Sequence, residues 1–275
     1  MAQPLPINSQ GRFTRLRTPW QIQRAVVFAL FLREMKTRFG SQRLGYFWAI
    51  LQPASIILVF WAMFGLSMRG GRVTPGVDVP MFLLTGFLPY GLFSTTVNNS
   101  MAAFKANQGL FNYRQVKPLD TLVSRCLVEC LVHLVVFVVL VFAGMALGFD
   151  AAIHDFLGLS LILLLLVWFS FSVGLVCAVI AAFSETFQKV IGVMMRPLFF
   201  TSGLFFSVYV MPVKFQGILL FNPVLNFLEL IRVYYFATYQ SPDASYFYIL
   251  CWTLGSCFIG LWLYTLLKNR ILMTS

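Results

Sequence analysis

Apolar residues in this chain do not recur with a helical or a strand period over most of its length; they run on unbroken. Six intervals contain no Asp, Glu, Lys or Arg: residues 44–68, 79–104, 130–149, 156–184, 197–213 and 244–267. About 20 apolar residues cross a bilayer as a helix, and continuous runs without alternation favour helices over barrel strands. The pattern therefore predicts six transmembrane helices. The third is expected to begin earlier, near Leu122, with Arg125 and Glu129 in its first turns. The fifth is expected to begin near Val190 and to carry Arg196.

The segments between these runs divide the rest of the chain. Residues 1–20 are a polar N-terminal segment. Residues 21–43 have a short apolar centre, Ala25–Leu32, leading into Arg33-Glu34-Met35-Lys36 without the small-residue pattern of a signal-peptide cleavage site. They predict a helix at the cytoplasmic interface, its basic ends near the headgroups. Residues 44–275 form the six-span domain. Within it, the loop 105–121 mixes basic residues with Leu110, Phe111 and Tyr113, an unusual use of apolar side chains for a solvated loop and a sign that it docks on something. The segment 212–246 is too apolar for a free loop. Asn222-Pro223 opens a helical stretch there, with Leu225, Leu228 and Ile231 on one side and Glu229 three residues before Arg232, close enough to pair.

Composition sharpens the class. The chain is 59% hydrophobic, 17% aromatic and only 11% charged, against about one quarter charged in soluble proteins, which excludes a soluble enzyme, a disordered tail and a disulfide scaffold. A net charge of +11 could suggest a nucleic-acid partner. With both termini cytoplasmic, however, fifteen basic residues fall on the cytoplasmic side and four opposite, so topology accounts for the charge without nucleic acid. The five cysteines all lie in predicted spans; Cys126 and Cys130 share a helix face, but two thiols alone make a poor metal site.

Catalytic chemistry is sparse. The sequence has no Gly-Lys dipeptide, hence no phosphate-binding loop of the G-x-x-x-x-G-K-[ST] type, and neither H-E-x-x-H nor G-x-S-x-G. One polar stripe crosses the third span: Arg125, Glu129 and His133 at i, i+4 and i+8. Ionisable groups in a span are costly and commonly face partners or a pathway; the competing reading is that these neutralise one another, or Arg196, and simply hold helices together. Glu129 is expected to be paired within the membrane, with Arg125, His133 or Arg196 as candidates. The 46 aromatic residues suggest a second feature. At about 100° per residue, Tyr46 and Phe64 coincide on the first span, with Phe60 about 40° away, and Phe199, Ser202, Phe206 and Tyr209 fall within roughly an 80° arc on the fifth. Rings on a face can hold a passing substrate weakly and repeatedly, as conduction requires. Tyr46, Phe60 and Phe64, with Phe199, Phe206 and Tyr209, are the candidate conduit; packing or lipid contact is the competing reading of any one ring.

Two distant motifs carry a family resemblance. Arg38, Arg43, Leu44, Gly45, Trp48, Leu51 and Pro53 resemble the R-x-x-x-x-R-L-G-x-x-W-x-x-L-x-P approach to the first span of ABC-2 polysaccharide-export permeases. Asn222, Pro223, Glu229 and Arg232 are similar to that family's N-P-x-x-x-x-x-E-x-x-R segment before the last span. The resemblance covers essentially the whole chain and is strongest to Gram-negative capsular polysaccharide exporters, with O-antigen and teichoic-acid exporters as near relatives. It implies an all-α transmembrane domain of the ABC-2, type V exporter-like kind in the bacterial inner membrane. It also implies a homodimer with two separate ATP-binding subunits, which would carry ATP and Mg while this chain binds no cofactor or metal. A lipid-linked polysaccharide would pass to a periplasmic adaptor and an outer-membrane channel. The loop 105–121 would couple to the ATPase, with Leu110, Phe111 and Tyr113 as anchors and Arg114 and Lys117 as a charged rim. The alternatives are a secondary transporter driven by an ion gradient, disfavoured by the scarcity of carboxylates in the spans, and a membrane scaffold.

Overall fold

The computed structural model describes residues 18–40, 45–67, 72–74, 77–113, 115–208, 211–241 and 244–273. Ten helices follow one another among these residues: α1 Pro19–Phe39, α2 Gly45–Ser67, α3 Val79–Met101, α4 Ala103–Ala106, α5 Pro118–Ala146, α6 Phe156–Ala181, α7 Glu185–Thr201, α8 Val213–Leu220, α9 Pro223–Tyr235 and α10 Tyr246–Met273. Each charge-free interval thus holds a long helix, though α7 covers only the beginning of the fifth. By length and composition α5, α6 and α10 are each fit to cross a membrane, while α8 and α9 pass that test only as a pair bent by 101°. A minimal antiparallel ribbon, β1 Arg72–Thr74 with β2 Val77–Asp78, precedes α3; an all-helical reading did not foresee it.

Helix ends follow local chemistry. Thr18 and Gln21 satisfy each other's backbone N–H at the start of α1, with Pro19 in the first turn, where a missing N–H costs nothing. Asp120 accepts from the Lys117 N–H and starts α5 at Pro118, one turn before the expected Leu122. Asp155 and Ser184 accept from Gly158 and Phe187 and so cap α6 and α7.

The clearest departure is the end of α7. The apolar run continues to residue 213, but the helix stops at Thr201, and Gly203 takes φ +70°, a left-handed conformation that side chains resist. The chain then turns back beneath α9. The helix also starts five residues before Val190, at Glu185. One helical phase running from Phe199 to Phe206 therefore does not exist, and Tyr209 lies outside the described residues.

α3 is the axis of the packing. It is buried on nearly all sides and touches α2, α5, α6, α7 and α9. α6 lies between α3 and α10, and α1 lies along α5. α10 and α2 instead turn rings outward, among them Phe247, Trp252, Phe258 and Trp262, and Trp48 and Trp61. Large apolar side chains facing out are unfavourable in water and suit a bilayer or a partner subunit.

Candidate functional site

Polar groups gather where α1 crosses α3 and α5. Glu129, only 2% exposed, accepts from Arg38 of α1 and, at 2.5 Å, from the Asn99 amide of α3. Its second oxygen lies 3.8 Å from His133 Nδ1 and has no hydrogen-bond partner. Arg125 instead meets Glu34 at 3.2 Å and donates to the Asn99 carbonyl at 2.6 Å. Arg196 stands exposed on α7 with no carboxylate partner among the described residues. Of the three partners anticipated for Glu129, only His133 comes near; Arg38 is the cation the geometry supplies. Gln23 donates to Asp120, and Arg33 donates to Asn107 at 2.8 Å. α1 is therefore stitched to the bundle by four side-chain contacts, which a helix resting on headgroups alone would not be.

Just beyond this seam, a cavity of about 390 Å³ opens between α1, α2, α3, α5 and α7. Phe60, Phe87, Tyr90 and Phe199 line one end, and Arg38, Thr95 and His133 the other. The rings form one cluster: Phe60 and Phe87 are 5.4 Å apart between centroids, Phe87 and Phe199 5.5 Å, and Tyr90 and Phe199 5.3 Å. Phe205, beyond the end of α7, joins it at 4.7 Å from Phe60. Two of the six candidate conduit rings, Phe60 and Phe199, thus join one cluster from two helices, bridged by Phe87 and Phe205. Phe206 is half-buried and supplies its backbone carbonyl to Arg232. The side chains of Tyr46 and Phe64, and all of Tyr209, lie outside the described residues. Phe87, Tyr90 and Phe205 were missed; the first two lie on α3, whose uniform apolarity gives no phase to read.

The Asn222–Arg232 motif forms a clasp. Asn222 caps α9 through Val224 N–H at 3.0 Å and donates to the Ser202 hydroxyl at 3.0 Å. Glu229 and Arg232, both fully buried, pair at 3.3 Å. Arg232 also reaches the carbonyls of Leu204 and Phe206 at 3.4 Å each, and its guanidinium sits 3.7 Å over the Phe82 ring. The Tyr239 hydroxyl lies 2.7 Å from both Glu229 and Ser207. Burial of its ring beside these groups pushes the Tyr239 phenol well above its ordinary value. The pair holds the turn 202–208 against α9. Its role here is architectural, since it leaves the ring cluster flanked by a fixed turn.

The loop after α3 is compact. Phe111 is half-buried against a small core that includes Phe104, Leu122 and Leu175, whereas Tyr113 is 66% exposed. Lys105 pairs with Glu185 at 2.6 Å, tying the loop to the start of α7. Lys117 is exposed at the foot of α5, and Arg114 lies outside the described residues. On the first-span motif, Trp48 is exposed and Pro53 lines the cavity from within α2; Gly45 begins that helix, and Arg43 lies outside the described residues.

The described residues thus form a helical bundle with a leading helix bound to its flank, three helices long and apolar enough to cross a membrane, and a bent helix pair before the last helix. Residues 25–236 match the ABC-2 type transporter family, and the chain belongs to it. It is 39% identical over 256 residues to the polysialic acid transport protein KpsM of Escherichia coli, covering 93% of this chain and 98% of that protein. It is 32% identical over 247 residues to the capsule polysaccharide export inner-membrane protein CtrC of Neisseria meningitidis serogroup A, covering 87% and 90% of the two. The O-antigen export system permease RfbA of Klebsiella pneumoniae is more distant, 25% identical over 203 residues, or 71% and 74% of the two chains.

Proposed function

We propose that this chain is the inner-membrane permease of an ATP-driven exporter of lipid-linked capsular polysaccharide. The observation that carries this reading is end-to-end similarity to capsule exporters, which spans the leading helix, the bundle and the buried clasp alike. O-antigen export is the second reading, supported by a weaker match over less of the chain. Two copies would act with two copies of a separate ATP-binding subunit, both termini in the cytoplasm. A periplasmic adaptor and an outer-membrane channel would receive the polymer.

The division of labour follows from what the chain contains. With no phosphate loop of its own, it takes its energy from the partner, through the loop 105–121. Tyr113 is the outward anchor of that contact, with Leu110 beside it and Lys117, and Arg114 by its place in the sequence, as the charged rim. Phe111 holds the loop in shape from beneath. The ring cluster around Phe60 and Phe199 offers faces against which sugar C–H groups slide, each stacking contact on the order of 0.5–1.5 kcal/mol by analogy with aromatic pairs.

The test is co-purification. Expressed with the ATP-binding subunit of a capsule-export system, this chain should form a stable complex whose ATP turnover drives polymer across the membrane. A chain that binds ATP alone, or that moves substrate on an ion gradient without the partner, would refute the reading.

A further inference from the structure

The end of the cavity opposite the rings has its own chemistry. His133 Nδ1 lies 2.9 Å from the backbone carbonyl oxygen of Glu129, and a carbonyl oxygen only accepts, so Nδ1 carries the proton. In the neutral imidazole Nε2 is then an acceptor, and nothing among the described residues donates to it. It faces Gly91, where a Cβ would stand 3.1 Å away. The missing side chain at Gly91 leaves this nitrogen open to the cavity. Arg38 spends one nitrogen on Glu129 and makes no other hydrogen bond among the described residues, so donors remain on a residue that lines the same cavity as the acceptor. The Thr95 hydroxyl gives its proton to the Gly91 carbonyl at 2.7 Å and keeps its lone pairs.

Charge decides which ligand this suits. The Glu129 carboxylate already balances Arg38, leaving donors and acceptors but, among the described residues lining the cavity, no formal surplus of either sign. A carboxylate or phosphate would meet a guanidinium whose charge Glu129 already balances, and would face lone pairs at His133 and Thr95. A hydroxyl both donates and accepts, and matches the pair Arg38 and His133. We infer that this cavity is a subsite for a neutral, hydroxyl-bearing sugar ring, its hydroxyls read by Arg38 and His133 and its C–H face laid on Phe60 and Phe199. The inference rests on the permease reading and adds to it the class of sugar unit admitted at this point of the path.

Inverted membrane vesicles holding the assembled transporter, its ATPase and its native polymer provide the test, with polymer moved per ATP hydrolysed as the readout. His133→Phe keeps a ring and removes the acceptor; Thr95→Val keeps the shape and removes the lone pairs. Loss of a hydrogen bond of ordinary strength should lower the ratio about three- to tenfold in His133→Phe, and less in Thr95→Val. Asp150→Asn, at the far end of α5, serves as the control. The losses should be the same at low and high salt, because hydroxyl contacts are not screened. If both variants assemble and match the wild type, the subsite is refuted. If the losses disappear at high salt, an anionic group was being read and the inference fails. If the wild type itself moves no polymer with ATP, the permease reading fails instead.

Discussion

Single residues carry two kinds of partnership here, and only one can be read along the chain. Glu229 and Arg232 are three apart on one helix, so their pairing is local arithmetic. Glu129 and Arg38 are 91 residues apart and meet because α1 lies against α5, a register set by packing. Such a pair is costly to break from one side, since the remaining charge is left without its partner; with Arg38 35% exposed, the loss is moderated by water. Glu129→Gln should therefore cost about 1–3 kcal/mol, seen as a lower melting temperature of the purified chain, with Asp150→Asn near zero. Equal melting of the two variants would dismiss the pairing. Glu185 offers a pH test at the start of α7. The hydrogen bond and charge of Lys105 lower its pKa, so this contact favours the folded chain at neutral pH and is lost as pH falls through the lowered value. Lys105→Met should raise the Glu185 titration toward the ordinary carboxylate range, measurable by NMR.

At the scale of elements, intervals free of charge located the long helices because a charge inside a span is expensive. They could not locate the end of α7. The turn there is made by Gly203 inside an apolar run, and its carbonyls are satisfied by Arg232 from another helix, so nothing in the local sequence marks it. Gly86 is the position on α3 that admits this arginine: a Cβ there would stand 2.9 Å from its Nη2. Gly86→Ala should cost about 1–3 kcal/mol by crowding, and Arg232→Met about 3–5 kcal/mol by stranding Glu229, both read as lost assembly or lower melting temperature. An Arg232→Met chain as stable as the wild type would show the clasp to be dispensable. In the loop after α3, Tyr113→Ala should weaken ATPase binding by about 1–3 kcal/mol while sparing the melting temperature, whereas Phe111→Asp should damage both. Pull-down and calorimetry on the same samples distinguish the two.

For the whole molecule, the rings around the cavity belong to three helices and one turn, so their association depends on the complete bundle. Sequence phase found Phe60 and Phe199, one on each helix. It could not find Phe87 and Tyr90, because α3 is buried all round and shows no favoured face. Replacing Phe60 and Phe199 together by alanine should leave the complex with its ATPase intact and slow polymer export severalfold. Undiminished export would reduce the cluster to packing. The stitching of α1 to the bundle also sets a limit of another kind. Phe39 ends a helix bound to α5, and α2, one wall of the cavity, resumes at Gly45. Five peptide links from Gly40 to Gly45 extend to about 17 Å at most. While α1 keeps its four ties, they act as a leash on the start of α2. The aperture that α2 can open at that end is capped by the length of a few residues of backbone, whatever force the ATPase delivers.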